Sequence, residues 1–155
     1  TWIEKGQRKR SASFPLGTVR MLKHKVDDSV WAEINAFLGE LREQHGQLAG
    51  IGTGGNINRL FKENRNSYGQ PLSRTDISKQ RERIAAFSLE DRVKKLRLRP
   101  DRADVIIPAA DIFLRIMEAA GIEEVFVPKV GLADGIIFKL YTMQYGRAKY
   151  AAGAV

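Results

Sequence analysis

The chain has 155 residues, 43% of them apolar and 28% charged, which is the balance of one folded domain rather than of a long disordered segment. It contains no cysteine and two histidines, His24 and His45, so a disulfide scaffold and a thiol nucleophile are excluded and a His-rich metal site is disfavoured. The formal net charge of +8 points to an anionic partner, whether nucleic acid, nucleotide, polyphosphate or membrane surface, and with no signal peptide and no apolar run near the ~20 residues of a membrane span the expected setting is the cytoplasm, with no membrane partner.

Thr1 to Glu4 reads as a strand stub, Lys5-Gly6 as a turn, and Gln7 to Phe14 as the returning strand. So abrupt a hairpin suggests a chain cut from something longer. Phe14 to Leu22 is rich in β-branched and apolar residues and suits an extended segment bent at Pro15 and Gly17. Asp27-Asp28-Ser29 then caps a helix whose apolar stripe is Val30, Ile34, Phe37, Leu38 and Leu41, and Gly46 ends it. Gln47 to Thr53 fits a buried strand, and after Gly54-Gly55 the side chain of Asn56 is placed to cap a helix through Ile57, Leu60 and Phe61.

Residues 64–71 are a loop by composition. Ser73 to Asp76 offers caps for a helix through Ile77, Ile84 and Phe87, and Ser88 to Asp91 caps a short basic helix. Leu96 to Pro100 is an irregular link. Asp101 to Ala120 reads as one buried helix, kinked or restarted at Pro108 and stopped by Gly121, with Val105, Ile106, Ile112, Phe113, Ile116 and Met117 inside. Glu124 to Val130 is a strand, Gly131 to Tyr145 an amphipathic helix, and the small-residue end a frayed tail. Few strands among many helices predict an α/β fold with a small sheet and a core supplied largely by helix packing.

Charge is unevenly distributed. Residues 1–25 carry seven Lys or Arg against one acid, and residues 51–102 carry thirteen against six, with an acidic helix between them. The two basic blocks are either ordinary solvated faces or parts of a field for a polyanion. One local motif has chemistry attached. Gly50-Ile51-Gly52-Thr53-Gly54-Gly55-Asn56 lies where a strand ends and a helix begins. Glycines there let the backbone approach a ligand, and the unpaired amides and dipole of a helix start favour an anion. No Lys-Ser/Thr follows, so this is not a Walker A loop, and the spacing is not that of a dinucleotide fingerprint. A tight connection without a ligand is the plain alternative. Gly131-Leu132-Ala133-Asp134-Gly135 repeats the pattern weakly. Arg97, Arg99 and Arg102 flank Pro100, and an arginine beside a glycine loop would hold phosphate well. His24, His45 and the acids of the first long helix read as surface residues.

Four segments taken together resemble the exopolyphosphatase / guanosine pentaphosphate phosphohydrolase family: Ser11 to Arg20 (Ser-Ala-Ser-Phe-Pro-Leu-Gly-Thr-Val-Arg), Gly52-Thr53-Gly54-Gly55, Arg102 to Pro108, and Gly131 to Gly135, in that order and at about that spacing. The resemblance runs from about residue 2 to residue 141. It implies the actin-like ATPase (ribonuclease H-like) superfamily fold, in which two domains clamp a phosphorylated ligand. It also implies that residues 1–145 are most of the second, C-terminal domain without its first strands, and that residues 146–155 are a flexible tail.

Carried over, the resemblance makes Gly52, Thr53, Gly54, Gly55 and Asn56 the glycine loop of the phosphate cleft. It places Ser13 and Arg20 near that cleft and makes Arg102 an anion contact; no catalytic residue is assigned to this chain. The implied reaction is hydrolysis of the terminal phosphoanhydride bond of inorganic polyphosphate or guanosine pentaphosphate. A glutamate of the missing N-terminal domain activates water, and Mg²⁺ belongs to the full-length enzyme rather than to this part alone. The partners implied are that ligand and that domain, with a second copy of the chain as a further candidate. The family often has Thr at Asn56 and Arg-Glu at Ala133-Asp134, so a possible charge contact is missing here. The rival expectations are a basic nucleic-acid-binding module, against which stands the lack of a helix-turn-helix, zinc or aromatic-platform signature, and a non-catalytic regulatory module.

Overall fold

The computed structural model describes residues 1–64, 69–128 and 130–146. The chain opens with an antiparallel hairpin of β1 (Trp2–Glu4) and β2 (Gln7–Arg10), turned by Lys5 and Gly6, which both have positive φ. Two successive residues of this kind make the tight turn whose twist matches paired strands. The returning strand stops at Arg10 rather than at Phe14.

The expectation of an extended segment over Phe14 to Leu22 fails in its second half, because Thr18–Leu22 is a short helix, α1. The chain bends at Pro15, where the Leu16 amide bonds the Phe14 carbonyl, and the Met21 amide then closes a turn on Gly17 at 2.9 Å. Met21 packs against an apolar cluster, and that tertiary contact overrides the weak strand preference of Thr18 and Val19. Helix α2 (Asp28–His45) follows as expected, with Val30, Ile34 and Leu41 buried along its stripe and Trp31 buried beside them. Its C-terminal His45 stacks on Trp2 at 4.5 Å between ring centroids, which seats the hairpin.

A three-stranded sheet in the order β3-β5-β4 is built from very short strands. β3 is only Gly50–Ile51 and runs parallel to β5 (Glu124–Phe126), so both predicted strands are trimmed to the residues that find a partner. The sequence reading contains no strand at β4 (Leu72–Ser73), which pairs antiparallel with β5 through Leu72 opposite Val125. Between β3 and β4 lies α3 (Gly55–Glu63). After β4 come α4 (Arg74–Ala85) and α5 (Leu89–Lys94), capped by the Ser73 and Ser88 hydroxyls, which accept the Asp76 and Asp91 amides at 3.0 and 3.1 Å.

The single helix expected over Asp101 to Ala120 is two helices, α6 (Pro100–Ala103) and α7 (Ile106–Ala120). Pro100 opens the first. Pro108 is the third residue of the second, where a missing N–H costs nothing, and the break falls before it at Asp104-Val105. Gly121 ends α7 in the left-handed conformation with φ of 65°. α8 (Leu132–Tyr145) closes the described chain.

α7 is the axis of the fold. One side, with Ile106, Ala110 and Met117, packs on α3, α4, β4 and β5 through Ile57, Leu60, Phe61, Leu72, Ile77, Ile84 and Val125. Its other side, with Ile112 and Ile116, meets Val30, Trp31 and Ile34 of α2. Each such aliphatic side chain, once buried, contributes about 1.5–3 kcal/mol relative to exposure. Of the residues expected inside this helix, Ile106 and Met117 are fully buried, and Val105, Ile112, Phe113 and Ile116 are half-buried. Arg81 of α4 bonds Asp111 of α7 at 2.9 Å, and that bond, with the carboxylate's attraction, raises the guanidinium pKa further. The amphipathic helix expected at residues 131–145 departs from the rule, since α8 buries none of its residues and leaves Leu132 83% exposed. No described helix is long and apolar enough to cross a membrane. The expected tail lies outside the described residues from position 147 onward.

Candidate functional site

The glycine-rich elbow leaves the sheet at the carboxyl end of β3. The Gly52 amide donates to the Phe126 carbonyl at 2.8 Å, so the chain follows β5 for one residue past the strand. Gly52 is buried. A Cβ there would lie 3.1 Å from Ile57 Cγ1 and 3.2 Å from Val125 Cγ2, so this glycine serves close packing of strand against helix and has no free amide for a ligand.

The next residues turn outward. Thr53, Gly54 and Gly55 are exposed, and Gly54, with φ of 113° and ψ of 166°, has a backbone conformation essentially restricted to glycine. Gly54 is the N-cap of α3, which corrects the expectation for Asn56. The helix begins earlier, and Asn56 is its second residue. No described residue accepts the amides of Gly54, Gly55 or Asn56, and no acid stands in the first turn of α3. The positive end of the helix dipole, worth roughly half an elementary charge, is therefore uncompensated.

Arg102 of α6 comes to this elbow. A Cβ built on Gly55 would lie 2.6 Å from the Arg102 Cζ and still closer to its terminal nitrogens, so the guanidinium rests directly on the glycine. Arg102 is half-buried, and its side chain forms no ion pair or hydrogen bond with a described residue. Its neighbour Arg99 is paired with Asp101 at 3.2 Å, and Arg97 is exposed. The placement of α6 is itself built. Arg92 donates from Nε to the Ile84 carbonyl at 3.1 Å and from Nη1 to the Ala103 carbonyl at 3.2 Å, and Arg59 of α3 donates to the Leu96 carbonyl at 3.0 Å.

Two hollows flank the elbow. The smaller, about 170 Å³, is lined by Thr18, Thr53, Gly54, Gly55 and Asn56 over the apolar floor of Ile57, Ala109, Ile112 and Phe113. The larger, about 580 Å³, lies between α3 and the start of α8, lined by Thr53, Gly54, Gly55, Asn58, Val130, Gly131 and Leu132. The weak second glycine motif thus faces the first across a cavity.

Thr53, Gly54, Gly55 and Asn56 lie together along the smaller hollow, and Arg102 rests on Gly55 but lines neither hollow. Ser13 and Arg20 are exposed and line neither hollow; Thr18 from the same segment does. The sequence reading missed Thr18 and Asn58. Thr18 lies within the Ser11 to Arg20 segment, and Asn58 lies two residues beyond Asn56, a spacing that no local pattern marks. His24 and His45 are exposed, and no cluster of three or more His, Asp or Glu among the described residues is arranged to hold a metal ion. The elbow offers amides, hydroxyls and a guanidinium. The amides and the guanidinium are donors suited to an anion.

No protein-family model matches the chain, and no curated protein matches it in sequence. Solved structures do. A crystal structure described as the Aquifex aeolicus member of the Ppx/GppA protein family superposes with a TM-score of 0.67 at 23% identity, covering 90% of this chain and 51% of that one. A type II variant described as the Aquifex aeolicus Ppx/GppA phosphatase gives 0.63 at 22% identity, covering 88% of this chain and 51% of that one. A structure described as the Aquifex aeolicus PPX-GPPA enzyme gives 0.64 at 22% identity, covering 86% and 50%. The chain shares the fold of the part of these proteins that it covers, and it spans about half their length.

Proposed function

We propose that the chain is a phosphate-clamping domain of a Ppx/GppA-type phosphohydrolase, the second half of an actin-like two-domain fold. In this reading the complete enzyme hydrolyses the terminal phosphoanhydride bond of inorganic polyphosphate or guanosine pentaphosphate. The observation that carries it is the guanidinium of Arg102, without a hydrogen-bond or ion-pair partner among the described residues, seated on Gly55 beside the amides at the start of α3. A cation with no carboxylate partner among the described residues, held at the positive end of a helix, suits an anionic ligand. The shared fold supports the same reading.

On this chain the chemistry is positional and electrostatic. The amides of Gly54, Gly55 and Asn56, the hydroxyls of Thr18 and Thr53, and Arg102 hold phosphoryl oxygens so that the terminal group is presented in line to a water. Gly52, Ser13 and Arg20 take no direct part in that cradle. In this reading the acid or base that activates the water belongs to the other half, and Mg²⁺ belongs to the complete enzyme, as the family resemblance implies.

The test is calorimetric binding of inorganic tripolyphosphate to the chain and to Arg102→Gln, with phosphate release followed in parallel. Binding that weakens about tenfold in the variant, with no turnover by the chain alone, supports the proposal. Binding indifferent to Arg102 overturns the site, and sustained turnover by this chain overturns the assignment of the chemistry to another half. A nucleic-acid module would behave differently: an oligonucleotide would bind with a steep salt dependence, and short polyphosphate would not displace it.

A further inference from the structure

α8 (Leu132–Tyr145) is the one long described helix that the core does not hold, and none of its side chains is buried. With about 3.6 residues per turn, Leu132, Ile136, Leu140 and Met143 fall on one stripe, and Ile137 and Tyr145 project away from it. All six are exposed, Met143 by 74% and Ile137 by 66%. Lys139 and Thr142 form a narrow polar strip, and the Thr142 hydroxyl is already used within the helix, on the Lys139 carbonyl at 2.9 Å. A helix that is apolar on more than one side has the pattern of an element enclosed by protein, whereas a surface helix keeps a broad polar face.

The sheet supplies a second, independent observation. Val125 is buried on the core face, and a Cβ placed on Gly50 would meet it there at 3.4 Å. One residue on, Ile51 and Phe126 pair in register on the opposite face, where they are 68% and 44% exposed. Parallel strands ordinarily have both faces covered. β3 runs into the elbow and β5 toward α8, and Leu132 at the foot of α8 lines the larger chamber together with Thr53, Gly54 and Gly55.

We propose that α8 is a docking helix: the other half of the phosphohydrolase encloses it and in doing so closes the larger chamber beside the elbow. This rests on the reading of the chain as one half of a two-part enzyme. Two quantities select that occupant. The six α8 residues expose roughly 800 Å² between them, about one partner's share of a stable interface and within the range found between domains of one polypeptide. The solved structures that share this fold extend well beyond the matched part, since the chain covers 51%, 51% and 50% of them. A second copy of the chain fits the helix less well. Two helices related by a two-fold axis cover one stripe each and leave Ile137 and Tyr145 bare.

The experiment is hydrogen exchange over residues 132–145, measured without phosphate in the chain alone and in the complete polypeptide that carries both halves. In the chain alone these amides exchange through local opening, as expected of a helix with no buried side chain. In the complete polypeptide their exchange slows about a hundredfold. Leu140→Gln and Ile137→Gln keep helix propensity and remove one apolar side chain each, and each speeds exchange there about tenfold. Lys139→Gln, on the polar strip, changes nothing. None of the three positions is buried in the chain, so its Tm without the other half stays within about 2 °C in every variant.

Equal exchange in the chain and in the complete polypeptide overturns the inference. So does slow exchange that Lys139→Gln abolishes and the two apolar variants do not. A dimer of the chain alone in sedimentation, with α8 already as protected as in the complete polypeptide, overturns it in favour of a second copy. Failure of the elbow reads out separately. Tripolyphosphate that binds no form removes the phosphate site and leaves the α8 result standing, and binding at the elbow with α8 open in both forms does the reverse.

Discussion

Replacing Gly55 by alanine separates binding from stability, because the group that its new methyl would strike is the end of a side chain and not the backbone. The added Cβ would lie 2.6 Å from Arg102 Cζ, far inside van der Waals contact. Arg102 has no hydrogen-bond partner to hold it among the described residues, so it swings away at little cost to the fold. Position 55 is the first residue of α3 and its φ is not positive, so alanine suits the backbone. The gain from a less flexible unfolded chain is about 0.5 kcal/mol, or roughly 1–2 °C in Tm for a domain of this size. The loss falls on the ligand. A hydrogen bond between a guanidinium and a phosphate oxygen contributes about 1.5–3 kcal/mol, and the half-exposed setting of Arg102 argues for the low end.

Gly55→Ala therefore weakens tripolyphosphate binding about tenfold while Tm holds or rises slightly. Calorimetric titration and thermal unfolding without ligand read the two effects separately. A double-mutant cycle sharpens the result. In the Arg102→Gln background the alanine costs no further affinity, because the contact it would displace is already gone. Two results would refute the reasoning: full affinity in Gly55→Ala with an intact fold, or equal losses from the alanine with and without Arg102.

Gly54→Ala forces an L-residue into φ of 113° and is expected to cost about 1–3 kcal/mol while turning the elbow's amides, so that Tm and phosphate affinity fall together. Ser73→Ala and Ser88→Ala each remove one helix cap and lower unfolding free energy by about 1 kcal/mol in denaturant titration, additively and without change in phosphate binding. Arg92→Lys keeps the charge but cannot span the Ile84 and Ala103 carbonyls; it loses about 1–2 kcal/mol of stability and, by loosening α6, several-fold in phosphate affinity. Leu60→Ala empties a fully buried position and costs about 2–5 kcal/mol, the largest stability loss of the set.

What could be read from the sequence were features in which chemistry and structure lie within a few residues of each other. The stripe of α2, the serine caps of α4 and α5, the glycine stop of α7 and the strand-to-helix elbow are all of this kind. What could not be read depended on partners elsewhere in the chain. β4 is two residues long and exists only because Leu72 finds Val125. α1 is held by the packing of Met21, against the strand preference of Thr18 and Val19. Gly52 and Gly55 look alike in the motif, yet one is closed over by Ile57 and Val125 and the other by an arginine distant in sequence. Composition offered three arginines around Pro100 without ranking them, and the family resemblance singled out Arg102. The structure adds the reason, since Arg99 is paired with Asp101 and Arg102 is left for the elbow.

The site inherits its precision from the core. One wall is the elbow, wedged into place where Gly52 meets Ile57, Val125 and Phe113. The other is α6, tied by Arg92 to the end of α4 and, through the Leu96 carbonyl, to Arg59 of α3. Both ties run to elements packed on α7, so the distance between amides and guanidinium is set by apolar packing rather than by a free loop. α8 is built differently. It buries no side chain, and its apolar residues are open along the helix. The boundary between these two kinds of structure passes through the elbow, with the core-bound smaller hollow on one side and the α8-bound larger chamber on the other. The smaller hollow thus depends on the core-bound side alone, whereas whatever the larger chamber admits depends on a helix that the described core does not hold.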